Sequence, residues 1–440
     1  VAEWTATDPA STPPALREIL VTLPSTPPAS PRPYSEVDLS SRAFWDRTFD
    51  EREQSFAALR RGELSWHQPF DAPFPHAETG FWAATRLEDI TFVSRRPEIF
   101  SSAEGIAISP LPKQIQEMTA FFLMMDPPEH TTFRRLISEA FTPRQVARVQ
   151  SQIAAGAEEI VDGLVGAGSV DFVTACSGIL PMRTVSDMIG IAPGDREAVR
   201  HAAEALFAGP SPAERAAGVD PLGFMLSQIE LLRTAAIEIA RHRREHPADD
   251  LMTNIVQAEV DGHRLTDEQI GAFMILLSSA GNDTTKQTTS HTILALSRHP
   301  EQKQWLMADW DGRIGRAVEE FVRWGTPVMD FARTAVVDTE IRGTPVLAGE
   351  KVALFYCSGN RDETVFERPH DFDLARTPNP HVGFGGGGVH YCLGHSVAKS
   401  QLRNLFQQLL TRIPDIEIGE PEWLPNTFVH GIERLPAYIP

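Results

Sequence analysis

Apolar residues along this chain recur mainly at helical spacing, in blocks separated by proline, glycine and charged turns. Single helices are predicted over 44–60, 87–95 and 313–324, and a strand over 80–85. The run 130–150 is helical with a break at Thr142-Pro143. Residues 150–250 are mostly helical, with turn signals at 166–168, 193–194 and 209–212; the last separates helices over 196–207 and 221–245. The longest run is 266–299, where Thr266 and Gln269 fit a capping box and Pro300 closes the helix. About 34 residues at 1.5 Å each span roughly 50 Å, enough to cross the whole molecule. Around 273–277 and 293–296 this helix is apolar on every face and is therefore predicted to be buried. Its middle, Ala280-Gly281-Asn282-Asp283-Thr284-Thr285, breaks the pattern. Glycine and threonine weaken and bend a helix there, and a buried aspartate is costly unless paired or functional. Residues 326–355 alternate and turn repeatedly, giving a small β region in a mainly α protein. The stretch 100–122, with Ile106, Ile108 and Leu111, reads as a long irregular loop.

Composition narrows the picture. The chain has 440 residues and a formal net charge of -19, which argues against nucleic acid and anionic membranes as partners. No segment approaches ~18 uninterrupted apolar residues, so no membrane span is expected. No charged-then-apolar leader opens the chain. Cys176, Cys357 and Cys392 are odd in number and widely spaced, so no disulfide framework is indicated and the expected compartment is the reducing cytoplasm. Residues 1–35, rich in Pro, Ser, Thr and Ala without apolar periodicity, read as a flexible tail; 36–440 read as one domain.

Candidate chemistry concentrates in His381-Val382-Gly383-Phe384-Gly385-Gly386-Gly387-Gly388-Val389-His390-Tyr391-Cys392-Leu393-Gly394-His395. Glycines allow close approach to a flat ligand and positive φ. A helix over 396–412 follows at once, and a helix starting at Cys392 favours thiolate over thiol. A thiolate with one face left open is what a haem iron takes as an axial ligand. The plainer reading is a glycine-rich turn with a buried cysteine. Elsewhere, Glu320 and Arg323 share a helix face, as a surface ion pair or a buried one. His130, Arg134 and Arg135 are a solvated face or a clamp for an anion.

Taken together, these stretches resemble cytochromes P450. The cysteine loop, Glu320-x-x-Arg323, the Ala280–Thr285 turn and His130-x-x-x-Arg134 match four family motifs in the family's order, and the resemblance runs from about Asp38 to Pro440. The spacing from Phe384 to Cys392 is one residue longer than the commoner one, as in bacterial members that hydroxylate methyl-branched lipids and sterol side chains. The resemblance implies the P450 fold, with a b-type haem (heme b) between the long central helix and the helix after the cysteine loop. It implies Cys392 as the metal ligand, with His130, Arg134, Arg333, Phe384, His390 and Gly394 around the cofactor. Asp283 would relay protons, and Thr284 would hydrogen-bond bound oxygen or hold a water. Glu320 and Arg323 would be structural. Their usual third partner precedes Phe in a Pro-x-Arg-Phe segment; this chain has Pro369-His370-Asp371-Phe372, leaving Arg361 or Arg376 to stand in.

The same resemblance makes 100–122 the roof of a substrate pocket, the helices over 196–207 and 221–245 its lid, and 423–431 a loop dipping into it. Apolar pocket candidates are Ile106, Ile108, Phe273, Leu277, Val328, Met329, Phe428 and Val429. Electrons would come from a separate ferredoxin and ferredoxin reductase, since the chain carries no flavin or iron–sulfur motif. Lys399, Arg403 and Arg412, with Arg135, Arg144 and Arg148, form a candidate basic dock. The expected activity is insertion of one O₂ oxygen into a terminal C–H of a lipophilic substrate: a methyl-branched fatty acid or lipid first, a sterol side chain second. A peroxide-driven peroxygenase and a non-catalytic haem-thiolate sensor or carrier are the alternatives, and the Asp283-Thr284 pair counts against both.

Overall fold

The computed structural model describes Ser30 and residues 32–440, apart from 71–75, 112, 141 and 211. Most of the expected tail, residues 1–29 and 31, lies outside the described residues. Its last residues are tied down: Arg32 pairs with Glu350 at 2.6 Å, and the Ser35 N–H donates to the Trp66 carbonyl at 2.7 Å.

The central helix, Asp267–Arg298, begins at a true capping box. The Gln269 N–H donates to Thr266 Oγ1 at 3.2 Å, and the Thr266 N–H donates to Gln269 Oε1 at 2.9 Å. Helices Ile179–Ile189, Arg196–Ala208, Pro221–Glu245 and Trp310–Gly325 pack around it, which is why it is apolar on all sides. The resulting core includes Phe172, Ile270, Met274, Ile293, Phe321 and Phe406. Each such side chain contributes about 1.5–3 kcal/mol on burial. The helix His395–Arg412 lies against Pro143–Leu164 and buries Leu402, Leu405, Phe406 and Leu409. Among the described residues, no helix is long and apolar enough to cross a membrane.

A five-stranded sheet forms a second layer. Its order is Ser65–His67, Phe81–Ala84, Lys351–Phe355, Asp330–Ala335, Phe100–Ser101, and the pairing is antiparallel except between Phe81–Ala84 and Lys351–Phe355. One face is covered by Arg42–Trp45 and Phe49–Arg61, through Phe44, Trp45 and Phe56 against Phe355. The register sets Arg333 opposite Val352, and an isolated bridge joins Val328 to Val429. This layer therefore carries Arg333 and the late loop toward the helical layer.

Three expected elements differ. The helix over 44–60 is two helices, Arg42–Trp45 and Phe49–Arg61, because Thr48 caps the second one with Glu51. The loop 100–122 contains the helix Lys113–Ala120 and a tight turn, Phe121–Met124. The helix after the cysteine starts at His395, not at Cys392.

Candidate active site

The cysteine loop lies against the helix Leu87–Ser94. A Cβ on Gly386 would sit 2.9 Å from the Ile90 carbonyl, and one on Gly388, at φ 76°, would collide with the Ser94 carbonyl. Only glycine allows this approach. The loop closes on itself where the Cys392 N–H donates to the Phe384 carbonyl at 3.0 Å. Cys392 is only partly exposed, and burial pushes its thiol up. Backbone N–H groups of Gly394 and His395 and the charge of Arg134 oppose that rise. The helix end is thus aimed at the sulfur as expected, but burial outweighs it. A coordinating metal deprotonates a thiol outright. Burial alone drives Cys176 far up, and burial is also the largest cause of the rise of Cys357 to about 12.

Beside the loop, four cationic or donor side chains converge. The His130 and His390 rings lie 4.3 Å apart. Arg134 Nη2 donates to the Tyr391 carbonyl at 2.7 Å, and Arg333 Nη1 donates to the Ala332 carbonyl at 2.6 Å. His390 Nε2 lies 3.1 Å from Ser102 Oγ. His130 is 1% exposed, yet neither of its ring nitrogens has a partner among the described residues. Burial, reinforced by Arg134, lowers His130 to about 4; burial and Arg333 lower His390 to about 2. Neither arginine forms an ion pair among the described residues, and the nearby Asp126 already accepts from Ser101 and Ser102. Buried donors without acceptors are costly, so this arrangement fits a bound carboxylate-bearing group such as haem with its propionates.

On the central helix, Thr284 Oγ1 donates to the Ala280 carbonyl at 2.8 Å, the back-bonding that bends helices. Asp283 is 7% exposed and forms an ion pair with Lys286, whose Nζ also lies 3.2 Å from Glu204 of Arg196–Ala208. Burial pushes the Asp283 carboxyl up, and Lys286 opposes it. Sequence reasoning missed Lys286 and Glu204. The first was available, since Lys286 stands three residues after Asp283 on one helix face.

Glu320 and Arg323 are both fully buried and paired in a fork, with two contacts of 2.7 Å. Arg323 also donates to the carbonyls of Asn360, Pro369 and Asp371 at 2.8, 2.8 and 3.0 Å. The third member is Arg376, whose Nε reaches Glu320 Oε2 at 3.2 Å; Asn379 adds a contact at 3.1 Å. Arg361 instead donates to the Arg323 and Trp324 carbonyls and stacks over Trp324.

The apolar candidates divide. Ile106, Val328 and Phe428 gather around Phe331: Phe428 meets its ring at 5.2 Å, and the Ala332 N–H donates to the Ile106 carbonyl at 2.7 Å. Val429 pairs its backbone with Val328 but lines a separate cleft with Trp45, Phe49 and Arg52. Phe331 and Met124 in this group were missed. Ile108 and Met329 instead pack on the sheet's helix-covered face with Phe44, Trp45 and Phe355, because alternate strand residues point to opposite faces. Phe273 and Leu277 belong to the helical core. The basic dock is also changed. Arg135 pairs with Asp261, Arg144 with Asp249, Arg148 more distantly with Asp249, Lys399 with Glu319, Arg403 with Asp311 and Arg412 with Asp162. Each cation meets an acid from another element, so this surface is not a bare basic patch.

The cytochrome P450 family pattern matches residues 227–413. The chain is 39% identical over 417 residues, 94% of its length and 96% of the relative's, to a methyl-branched lipid omega-hydroxylase of Mycobacterium tuberculosis. It is 35% identical over 391 residues, 87% of its length and 89% of the relative's, to a steroid C26-monooxygenase of Mycolicibacterium smegmatis. A solved Mycobacterium marinum cytochrome P450 in complex with pseudoionone matches with a TM-score of 0.88 at 50% identity, covering 93% of this chain and 100% of that one. The chain belongs to the cytochrome P450 family. It is a monooxygenase of that family, which uses thiolate-ligated haem, O₂ and redox partners.

Proposed function

We propose that residues 36–440 act as one catalytic domain in which Cys392 ligates the haem iron and His130, Arg134, Arg333 and His390 hold the propionates. Phe384 and Gly394 flank the ring on the cysteine side. The observation that carries this reading is the buried, unpartnered ring of His130, with Arg134, Arg333 and His390 around it free of ion pairs among the described residues, standing beside Cys392 in its glycine cradle. When bound, thiolate-ligated haem supplies the O₂ activation. Asp283, its carboxyl pushed up by burial and ion-paired with Lys286, relays protons, and the Thr284 hydroxyl presents a donor at the bend of the central helix. Changing Cys392→His should abolish the thiolate band of the reduced CO complex, while Cys176→Ser and Cys357→Ser leave it in place. A lost band in either of the latter reassigns the ligand.

The substrate proposed is a methyl-branched fatty acid or lipid, hydroxylated at its terminal carbon. Support comes from the 39% identity to an enzyme named for that reaction and from the apolar wall of Ile106, Val328, Phe331 and Phe428. Terminal attack requires a narrow wall that admits a chain end and fixes its orientation. Sterol side-chain hydroxylation is the second reading, favoured by the 35% identity to steroid C26-monooxygenases. A cytoplasmic ferredoxin and its reductase are the proposed electron source. Turnover of a branched fatty acid, its straight-chain isomer and a 3-oxo-sterol with a generic redox pair decides between these readings. Preference for the straight chain, or oxidation at internal carbons, defeats the first; preference for the sterol selects the second.

A further inference from the structure

Glu319 immediately precedes the buried Glu320, so the two carboxylates leave the helix Trp310–Gly325 in different directions. The Glu319 carboxylate takes Lys399 Nζ at 2.6 Å and lies 3.0 Å from His381 Nε2. His381 Nδ1 accepts from the Gly383 N–H at 3.1 Å. That bond fixes the tautomer: Nε2 carries the hydrogen and donates to Glu319. The turn so fixed leads directly into Phe384. Lys399 Nζ stands 5.2 Å from the centre of the Phe384 ring, and the Phe384 carbonyl accepts the Cys392 N–H. Three separate elements are thereby tied around one ring beside the cysteine.

The Lys399–Glu319 pair is partly exposed, but the histidine that completes it is not. The His381 side chain is 5% exposed. Lys399 is directed over an aromatic face, where a cation is attracted by the ring quadrupole. Burial pushes the Glu319 carboxyl up, but His381 and Lys399 outweigh it and hold the group at about 2, so the carboxylate stays charged.

We propose that Glu319, His381 and Lys399 form a charge clamp that positions Phe384 against the cysteine loop and sets, from the cysteine side, the reduction potential of the bound haem. The proposal rests on the reading of Cys392 as the iron ligand. Reduction adds one electron at the iron, so a nearby cation favours the reduced form and a nearby anion disfavours it. Lys399 and Glu319 oppose each other, and removing one unmasks the other.

The test is a redox titration of the holoenzyme and its variants. Lys399→Gln should shift the midpoint potential negative, because Glu319 is left uncompensated. Glu319→Gln should shift it positive. The double variant should return toward the unmodified protein, and Lys399→Arg should keep its potential. A loosened loop without charge control would move both single variants in the same direction, and a pair without influence would move neither; either result overturns the proposal. A Lys399→Arg shift as large as that of Lys399→Gln does so as well. The CO band of each variant is recorded in parallel. If the unmodified protein itself lacks the thiolate band, the failure lies in the ligand assignment and not in the clamp.

Discussion

Two polar regions of this molecule both gather arginines inside the fold but balance their charges in opposite ways. Around Glu320, each charge is matched: Arg323, Arg376, Asn379 and the Asp373 N–H all serve one carboxylate, and Arg323 spends its remaining donors on three carbonyls. Around His130, the donors outnumber the acceptors. Among the described residues, two histidines and two arginines converge with main-chain carbonyls and Ser102 to receive them and no carboxylate hydrogen-bonded to them. Removing a charge from the first region should damage the fold, whereas removing one from the second should chiefly damage the binding of an anion. A buried group without a partner is a cost to the fold that a ligand can reverse.

The largest effect should follow Arg323→Met, which strips the buried Glu320 of its forked partner, leaves Arg376 as its one cation, and frees three carbonyls of their donor. The expected loss is about 3–5 kcal/mol in urea unfolding. A loss below about 1 kcal/mol would remove the distinction between the regions. Arg134→Gln should leave the haem-free protein as stable as before or slightly more so, while weakening haem retention about 10- to 100-fold, the equivalent of one charge-assisted hydrogen bond. Haem transfer to an acceptor protein measures the second quantity and unfolding of the haem-free protein the first; equal losses in both would place Arg134 with the scaffold.

The smallest effect is a pH dependence. His130 titrates at about 4 in the folded protein against 6.5 ordinarily, so the unfolded chain binds more protons between those values. Stability of the haem-free protein should therefore be level above pH about 6.5 and decline as pH falls toward 4. His130→Gln should flatten that slope by one proton, leaving the parts due to the other histidines that burial lowers, His67 and His291 at about 4 and His370, His390 and His430 besides. An unchanged slope would show that His130 is not held neutral by its surroundings.

Local signals were legible and distant pairings were not. The central helix could be read to within a residue at either end, because a capping box and a proline mark it. The break before Phe49 was equally local: Thr48 and Glu51 have capping-box spacing, but the apolar rhythm continues across it. The helix Lys113–Ala120 was hidden because prolines precede it and few of its residues are apolar. The four cofactor-side residues could be placed only through motif resemblance, since they come from a helix, a strand and a loop far apart in sequence. The apparent basic dock failed for the same reason. No acid lies between Leu393 and Arg412, yet Asp162, Asp311 and Glu319 arrive from other elements. Choosing between Arg361 and Arg376 likewise required three-dimensional geometry.

The Glu320–Arg323 knot bears on how this region tolerates sequence drift. Arg323 grips the segment after Asn360 through carbonyl oxygens, which every amino acid supplies alike. The identities of residues 369–371 are therefore free to vary so long as the path of the main chain is kept. The charge that would otherwise stand just before Phe372 can then be provided from four residues beyond it, at Arg376. A scaffold that recognises backbone in this way can take its third partner from further along the chain without being rebuilt, which accounts for Pro369-His370-Asp371-Phe372 lacking the arginine that the family resemblance led one to expect there.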